Sequence, residues 1–183
     1  MDEAEGALWQ RRYFDVRKPA PDLARIVVGV DVATTSGEEA NETGIIVAGR
    51  GVDGKGYVMA DRSCRLSPDG WANRAVAAYH QSKADRIIAE ANQGGEMITA
   101  VLRTVDPNVP VKLIHASRGK AVRAEPIAAL YEQGKVFHVV EMPELEDQLC
   151  QWTPDSGTSP DRLDALVHAL TELFPSSGGL RVW

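Results

Sequence analysis

The chain has 183 residues, 44% hydrophobic and 25% charged, which suits one globular domain and is too short for two large ones. This composition excludes a disordered or fibrous protein, and the lack of any run of about 20 apolar residues or of a signal-peptide core predicts a cytosolic protein. The formal net charge of -6 excludes strong general attraction to DNA, so a nucleic-acid function needs a local basic patch, metal ions or a partner.

The N-terminal half is predicted to form three strands. Residues 1–24 mix charges, aromatics and prolines without a clear period, which predicts a linker or arm before a domain spanning 25–175. The β-rich runs RIVVGVDVA, NETGIIVAGR and YVMADRSCRL follow, separated by polar and glycine-rich turns. They predict an antiparallel meander.

The rest of the chain alternates between helices and strands. A helix is predicted from Ser67, its N-cap, with Pro68 in the first turn. Beyond it RIIAE, VKLI and KVFHVV read as strands between helices, which indicates a parallel half of the sheet. SPDRLDALVHALTELF predicts a final helix before a tail at 176–183. This order is expected of an α/β ribonuclease H-like fold, with a mixed five-strand sheet flanked by helices.

Two acidic residues interrupt or end apolar strands. Asp31 lies within the most apolar run, where an isolated buried carboxylate costs several kcal/mol unless something positive or hydrogen-bonding meets it. Glu90 ends RIIAE. Because the two strands are predicted neighbours, we expect both carboxylates to point at one spot.

The final helix carries a third acidic motif. Ser159 suits its N-cap and Pro160 its first position, so Asp161 and Asp164 lie one turn apart on one face that His168 continues. Helix geometry favours Asp164 as the one that reaches inward. The structural alternatives are a favourable first-turn charge for Asp161, a solvated surface position for Asp164, and a packing role for His168 rather than support of the ligands.

Clustered carboxylates repel one another unless hard cations neutralise them, so Mg²⁺ or Mn²⁺ is the expected occupant. Two such ions about 4 Å apart can activate a water and stabilise the leaving oxygen of a displacement at phosphorus. The acidic motifs therefore predict phosphodiester hydrolysis.

A short basic cluster precedes the helix of AEPIAALYEQG. Arg118, Lys120 and Arg123 are candidates for holding DNA backbone phosphate, with an ordinary solvated loop as the alternative. Asn92, in the loop after RIIAE, is a weaker candidate for ordering Glu90.

These motifs resemble a known family. GVDVA, IIAEANQGG and SPDRLDALVHAL, together with EGALW and RGKAVRAEPIAALYEQGKVFH, resemble the C-terminal nuclease domain of tailed-phage terminase large subunits. The resemblance implies that Asp31, Glu90 and Asp161 are catalytic metal ligands, with Asp164 an additional or alternative one. The Asp-x-x-Asp-Ala-Leu motif also resembles that of bacterial Holliday-junction resolvases.

The resemblance implies an endonuclease that cuts concatemeric double-stranded viral DNA with little sequence specificity in the host cytoplasm. It also implies three protein partners: the terminase ATPase motor domain, the portal and the small terminase subunit. The chain has no GxxxxGK[ST] phosphate loop, so the motor is expected on another part of a longer protein.

Two rival interpretations remain. GVDVATT also resembles the first phosphate loop of actin-like, chaperone and sugar-kinase ATPases, which predicts nucleotide binding. The second rival is an inactive ribonuclease H-like scaffold that docks a portal or motor. Loss of an acidic ligand would favour the scaffold, but all acidic positions are filled.

Overall fold

The computed structural model describes residues 2–32, 41–91, 95–115 and 119–175. Within them, one mixed sheet is flanked by α-helices. Its strands are β1 (Leu23–Val32), β2 (Thr43–Gly51), β3 (Gly56–Asp61), β4 (Arg86–Glu90), β5 (Val111–Ile114) and β6 (Val136–His138). The helices are α1 (Pro68–Ser82), α2 (Gly95–Val105), α3 (Lys120–Glu132), α4 (Pro143–Gln151) and α5 (Asp161–Leu173). No helix among the described residues is long and apolar enough to cross a bilayer.

The strand order is β5-β4-β1-β2-β3-β6. Strands β1, β2 and β3 pair antiparallel, which confirms the predicted meander, and β4 and β5 extend the sheet parallel to β1. The predicted α/β ribonuclease H-like architecture is therefore confirmed. The predicted number of five strands is wrong, because the short β6 pairs in parallel with β3 and adds a sixth strand at that edge.

Side chains alternate between the two faces of the sheet, as the period of a strand requires. One face packs against α1 and α2, and its buried strand residues are Val28, Val30, Ile45, Val47, Ile87 and Ala89. The other packs against α3, α4 and α5, and its buried strand residues are Val27, Ile46, Ala48, Val58, Ile88 and Val136. The molecule thus has three layers, with a helical layer on each side.

Helix α5 lies unusually close to the sheet because glycines occupy the contact. A Cβ added at Gly29 would lie 2.1 Å from the carbonyl oxygen of Ala165, and one at Gly44 would lie 2.1 Å from that of Asp161. Both distances are far below van der Waals contact, and the obstacle is backbone. These two glycines therefore fix how near the N-terminal half of α5 comes to β1 and β2.

We expect Gly44→Ala to lower the free energy of unfolding by about 1–3 kcal/mol, since an added methyl group must displace α5 from a tightly packed position. Urea unfolding of the two proteins measures the difference. Gly119→Ala is the matched control, because a Cβ there would meet nothing within 4 Å. A Gly44 variant as stable as the control would show that α5 can withdraw from the sheet without cost.

The N-terminal segment packs against the domain. Trp9 is fully buried and Phe14 nearly so, and each ring meets Tyr131 of α3 edge-on at a centroid distance of 6.0 Å. The described part of the predicted arm, residues 1–24, therefore differs from a free linker. Sequence periodicity could not reveal this, because the segment has no regular period and its contacts lie more than a hundred residues away. The domain boundary near residue 25 stays a prediction.

Local signals at helix starts were correct in one case and wrong in another. Ser67 caps α1, since its Oγ accepts a hydrogen bond from the amide of Gly70. Ser159 was predicted to cap α5, but the helix begins at Asp161 after Pro160, and the Ser159 hydroxyl donates to the Asp164 carboxylate instead. The carboxylate competes for the hydroxyl with the backbone amides. Helix α4 was not predicted.

Candidate metal centre

Asp31 and Glu90 lie side by side on neighbouring strands. The parallel pairing of β1 with β4 aligns Val30 with Ala89, so the next residue on each strand is one of these two carboxylates. Strand alternation turns both toward the face that carries α5, where Val27 and Ile88 are also buried. The two side chains are mostly buried, with 14% and 16% of their surface exposed.

Helix α5 brings a second acidic pair to the same place. The side chain of Asp164 is 5% exposed, and its carboxylate accepts a hydrogen bond from Ser159 Oγ at 2.7 Å and one from Lys120 Nζ at 2.6 Å. Asp161 is half-buried at the start of the helix and interacts with Asp31. The structure therefore brings together all four acidic residues that the sequence singled out.

The acidic residues perturb one another. Burial alone would raise the pKa of Asp31, but the neighbouring His168 ring, the Asp161 carboxyl and the Lys120 ammonium lower it overall. Burial and the proximity of Asp31 raise the pKa of Asp161 to about 8. Burial also raises the pKa of Asp164. Near neutral pH the metal-free site therefore keeps a proton on Asp161, which a bound cation would displace.

His168 is a central member of this group. Its Nε2 lies 3.7 Å from an oxygen of Asp31 and 3.6 Å from an oxygen of Glu90. The ligand atoms of these three residues all lie within 4.8 Å of one another, so they form a candidate metal site. The sequence interpretation placed His168 only behind the ligands. The signal that could have promoted it is its spacing of seven residues from Asp161 and four from Asp164, which puts all three on one helix face.

Two predicted DNA contacts have acidic partners. Lys120, the first residue of α3, binds Asp164 as described above, and Arg123 lies one turn further on with its guanidinium 3.8 Å from Glu90. The sequence interpretation gave these cations to DNA phosphate and did not include the carboxylates. Their role in holding DNA stays a prediction. Asn92 and Arg118, the remaining two candidates, lie outside the described residues.

The sequence also identifies this chain. Residues 28–173 match the family described as the terminase RNaseH-like domain. The chain belongs to this family. The matched range contains every acidic candidate of this terminase domain. No curated protein matches the chain.

Solved structures of large terminases have the same fold. The large terminase nuclease of thermophilic phage G20c with bound magnesium is 17% identical, with a TM-score of 0.59, and the match covers 86% of this chain and 85% of that one. The large terminase of bacteriophage HK97 is 10% identical, with a TM-score of 0.66, and 91% of this chain covers 43% of it. For the large terminase of a second thermophilic bacteriophage, the values are 13%, 0.65, 91% and 43%. This terminase domain therefore spans less than half of the latter two chains.

A second ionic cluster borders the acidic site. Arg162 of α5 donates to Asp61 of β3 at 2.8 Å and to Glu42 at 2.7 Å, so it holds the start of the helix against the meander. Glu42 also contributes to the raised pKa of Asp161. None of the three was singled out from the sequence, because their pairing joins segments about 100 residues apart.

The position of Lys120 predicts a metal-dependent effect on stability. In EDTA, we expect Lys120→Met to lower the free energy of unfolding by about 1 kcal/mol, because the ammonium partly neutralises the acidic cluster while remaining 46% exposed. Saturating Mn²⁺ should remove most of that loss, since the ion supplies the missing positive charge. Chemical unfolding in EDTA and in Mn²⁺ measures both values.

Lys112→Met is the matched control. Lys112 also binds an acidic residue of α5, Glu172, at 2.8 Å and is 45% exposed. Its loss of stability should be the same in EDTA and in Mn²⁺. If Mn²⁺ fails to rescue the Lys120 variant relative to this control, the ammonium does not substitute for a cation in the acidic cluster.

Proposed function

We propose that this domain is a metal-dependent endonuclease that hydrolyses phosphodiester bonds of concatemeric duplex DNA during viral DNA packaging. The observation that carries the proposal is the convergence of Asp31, Glu90 and His168 within 4.8 Å of one another, beside the acidic pair of α5, in a chain of the terminase family. A purely structural role does not explain so many buried carboxylates at one edge of the sheet.

The donor set fits hard divalent cations. Carboxylate oxygens of Asp31, Glu90, Asp161 and Asp164 would hold Mg²⁺ or Mn²⁺, and the raised pKa of Asp161 reflects a site short of positive charge. The G20c terminase nuclease has been solved with magnesium, zinc and cobalt, which supports this assignment by analogy. When bound, two such ions would activate water and stabilise the leaving oxygen of an in-line displacement at phosphorus.

The residues of the chain would have distinct tasks in this reaction. Asp31 lies between the strand pair and α5 and is the natural carboxylate to bridge two ions. Glu90 and the Asp161/Asp164 pair would complete the ligand shells, and which aspartate dominates is open. Lys120 and Arg123, released from Asp164 and Glu90 when cations bind, would hold the DNA backbone beside them, together with Arg118. Asn92 would order Glu90.

The proposed substrate is DNA without a preferred sequence. The candidate contacts are to phosphate, and phosphate contacts carry no direct sequence information. The net charge of -6 implies that the domain needs help to reach DNA. We therefore propose that the ATPase motor domain, the portal and the small terminase subunit bring it to the concatemer in the host cytoplasm.

Nicking of supercoiled plasmid tests the proposal. At low ionic strength the domain should convert plasmid to open-circular and linear forms in Mn²⁺ or Mg²⁺, and EDTA should stop the reaction. Cleavage should fall as salt rises, because the phosphate contacts weaken. Absence of cleavage in either metal, at protein concentrations that saturate the plasmid, would contradict nuclease activity and favour a docking scaffold.

A further inference from the structure

We propose that His168 donates a ring nitrogen directly to the metal ion that Asp31 and Glu90 bind, and that this ligand favours Co²⁺ and Zn²⁺ relative to Mg²⁺. The inference rests on the proposed metal-dependent function and adds a ligand that the acidic motifs do not contain. Three observations support it, namely the burial of the ring, its distances to the carboxylates and the rigidity of the helix that carries it.

The His168 ring is buried without a polar partner. It is 1% exposed, and neither ring nitrogen has a hydrogen-bond partner among the described residues. Buried polar groups are nearly always satisfied, and leaving one unpaired costs about 1–3 kcal/mol. The nearest polar atoms are the carboxylate oxygens of Asp31 and Glu90, at 3.7 and 3.6 Å, which is too long for hydrogen bonds. The ring therefore lacks a partner that a bound ion would supply.

The distances suit one shared ion. Two ligand atoms that each lie about 2.1 Å from one ion can be no more than about 4.2 Å apart. Nε2 meets this limit with both carboxylates, as the distances above show. All three ligand atoms lie within 4.8 Å of one another, so small side-chain rotations would bring them onto a single ion.

The helix holds the ring in this position. His168 lies between Ala165, whose carbonyl carbon and oxygen sit against Gly29, and Ala169, whose Cβ lies 3.1 Å from the place of a Cβ on Gly29. Helix α5 therefore cannot rotate or withdraw without a clash or a cavity. A nitrogen fixed in this way beside two carboxylates is preorganised for coordination.

The chemistry of the donor set gives the selectivity. Mg²⁺ prefers oxygen ligands, whereas imidazole nitrogen suits Zn²⁺ and the later first-row metals. Removing the ring should therefore weaken Co²⁺ binding much more than Mg²⁺ binding. We expect His168→Gln to lower Co²⁺ affinity by at least about tenfold, which is the usual lower bound even for groups that only support a ligand.

Pulsed electron paramagnetic resonance of Mn²⁺ bound to the wild-type chain gives a direct readout without any activity measurement. A coordinated imidazole should produce nitrogen modulation of the Mn²⁺ echo, and His168→Gln should abolish it. His80→Gln is the matched control, because His80 is an exposed histidine paired with Asp106, and it should leave the modulation unchanged. Calorimetry with Co²⁺ and Mg²⁺ then measures the change in selectivity.

The outcomes separate this inference from the proposed function. Mn²⁺ that binds in a manner dependent on Asp31, tested with Asp31→Asn, but shows no nitrogen modulation overturns the ligand role of His168 and leaves the nuclease proposal intact. Mn²⁺ that fails to bind, or binds regardless of Asp31, overturns both. The wild-type spectrum decides the point even if the His168 variant does not fold.

Discussion

Asp31→Asn should reduce Mn²⁺-dependent plasmid nicking by at least about a thousandfold, the scale on which loss of a central catalytic group is usually felt. The substitution keeps the shape of the side chain but removes a charge that lies against Glu90, Asp161 and His168. Since metal-free carboxylates repel one another, the variant should be at least as stable as the wild type in EDTA. Lost activity in a protein of undiminished stability would assign the defect to metal binding.

Companion variants extend this test to the rest of the site. Glu90→Gln and the double change Asp161→Asn with Asp164→Asn should each give losses of similar size, whereas Asp155→Asn, an exposed aspartate in the turn before α5, should leave nicking unchanged. If Asp31, Glu90 and the α5 pair can all be replaced with activity retained, the cleavage site lies elsewhere. Single Asp161 and Asp164 variants would then show which aspartate is the main ligand.

Glu146→Gln should lower the free energy of unfolding by about 3 kcal/mol near neutral pH, because it breaks a buried ionic network. The Glu146 carboxylate receives two bonds from Arg17, both 2.9 Å, and one from His138 Nδ1 at 2.7 Å. His138 in turn accepts a 2.7 Å hydrogen bond from the hydroxyl of Tyr131. The network joins the N-terminal segment to β6, α3 and α4.

The pH dependence of that loss follows from the carboxylate. Burial alone would raise the pKa of Glu146, but His138 and Arg17 lower it to about 2 from an ordinary value of 4.5. A group whose pKa is lowered on folding contributes its stability above the ordinary value and loses it as the pH falls toward the folded value. The gap between the wild type and the variant should therefore be constant above about pH 5 and shrink steadily toward pH 2.

Urea unfolding across this pH range measures the gap. Glu144→Gln, on the exposed face of the same helix, is the control and should cost less than about 1 kcal/mol at every pH. A gap between the Glu146 variant and the wild type that persists at pH 2 would mean that shape rather than charge makes the network stabilising.

The sequence was most informative where a regular period met an exception. Asp31 and Glu90 stood out because each is a charge in an apolar strand, and the parallel pairing of those strands then brings them together. The helical spacing of Asp161 and Asp164 likewise placed both on one face. The strand order and the α/β class followed from the alternation of elements, except for β6, whose three paired residues are too few to give a clear pattern.

Features that depend on partners across the chain were not visible in the sequence. Trp9 is buried by α3, more than a hundred residues away, and nothing in its local sequence indicates this contact. Lys120 and Arg123 looked like DNA contacts because their carboxylate partners lie on other elements. The weight of His168 in the site appears only when α5 is seen against Gly29, since a histidine on a helix face usually serves packing.

The close seating of α5 on Gly29 and Gly44 also determines when the chain can become active. Asp31 and Glu90 are synthesised early, whereas Asp161, Asp164 and His168 belong to the last helix described, which must dock against strands made long before it. A nascent or prematurely terminated chain holds at most two of the five groups and has no means of gathering cations around DNA. The order of synthesis thus keeps an unfinished nuclease from damaging the genome that it is made to package.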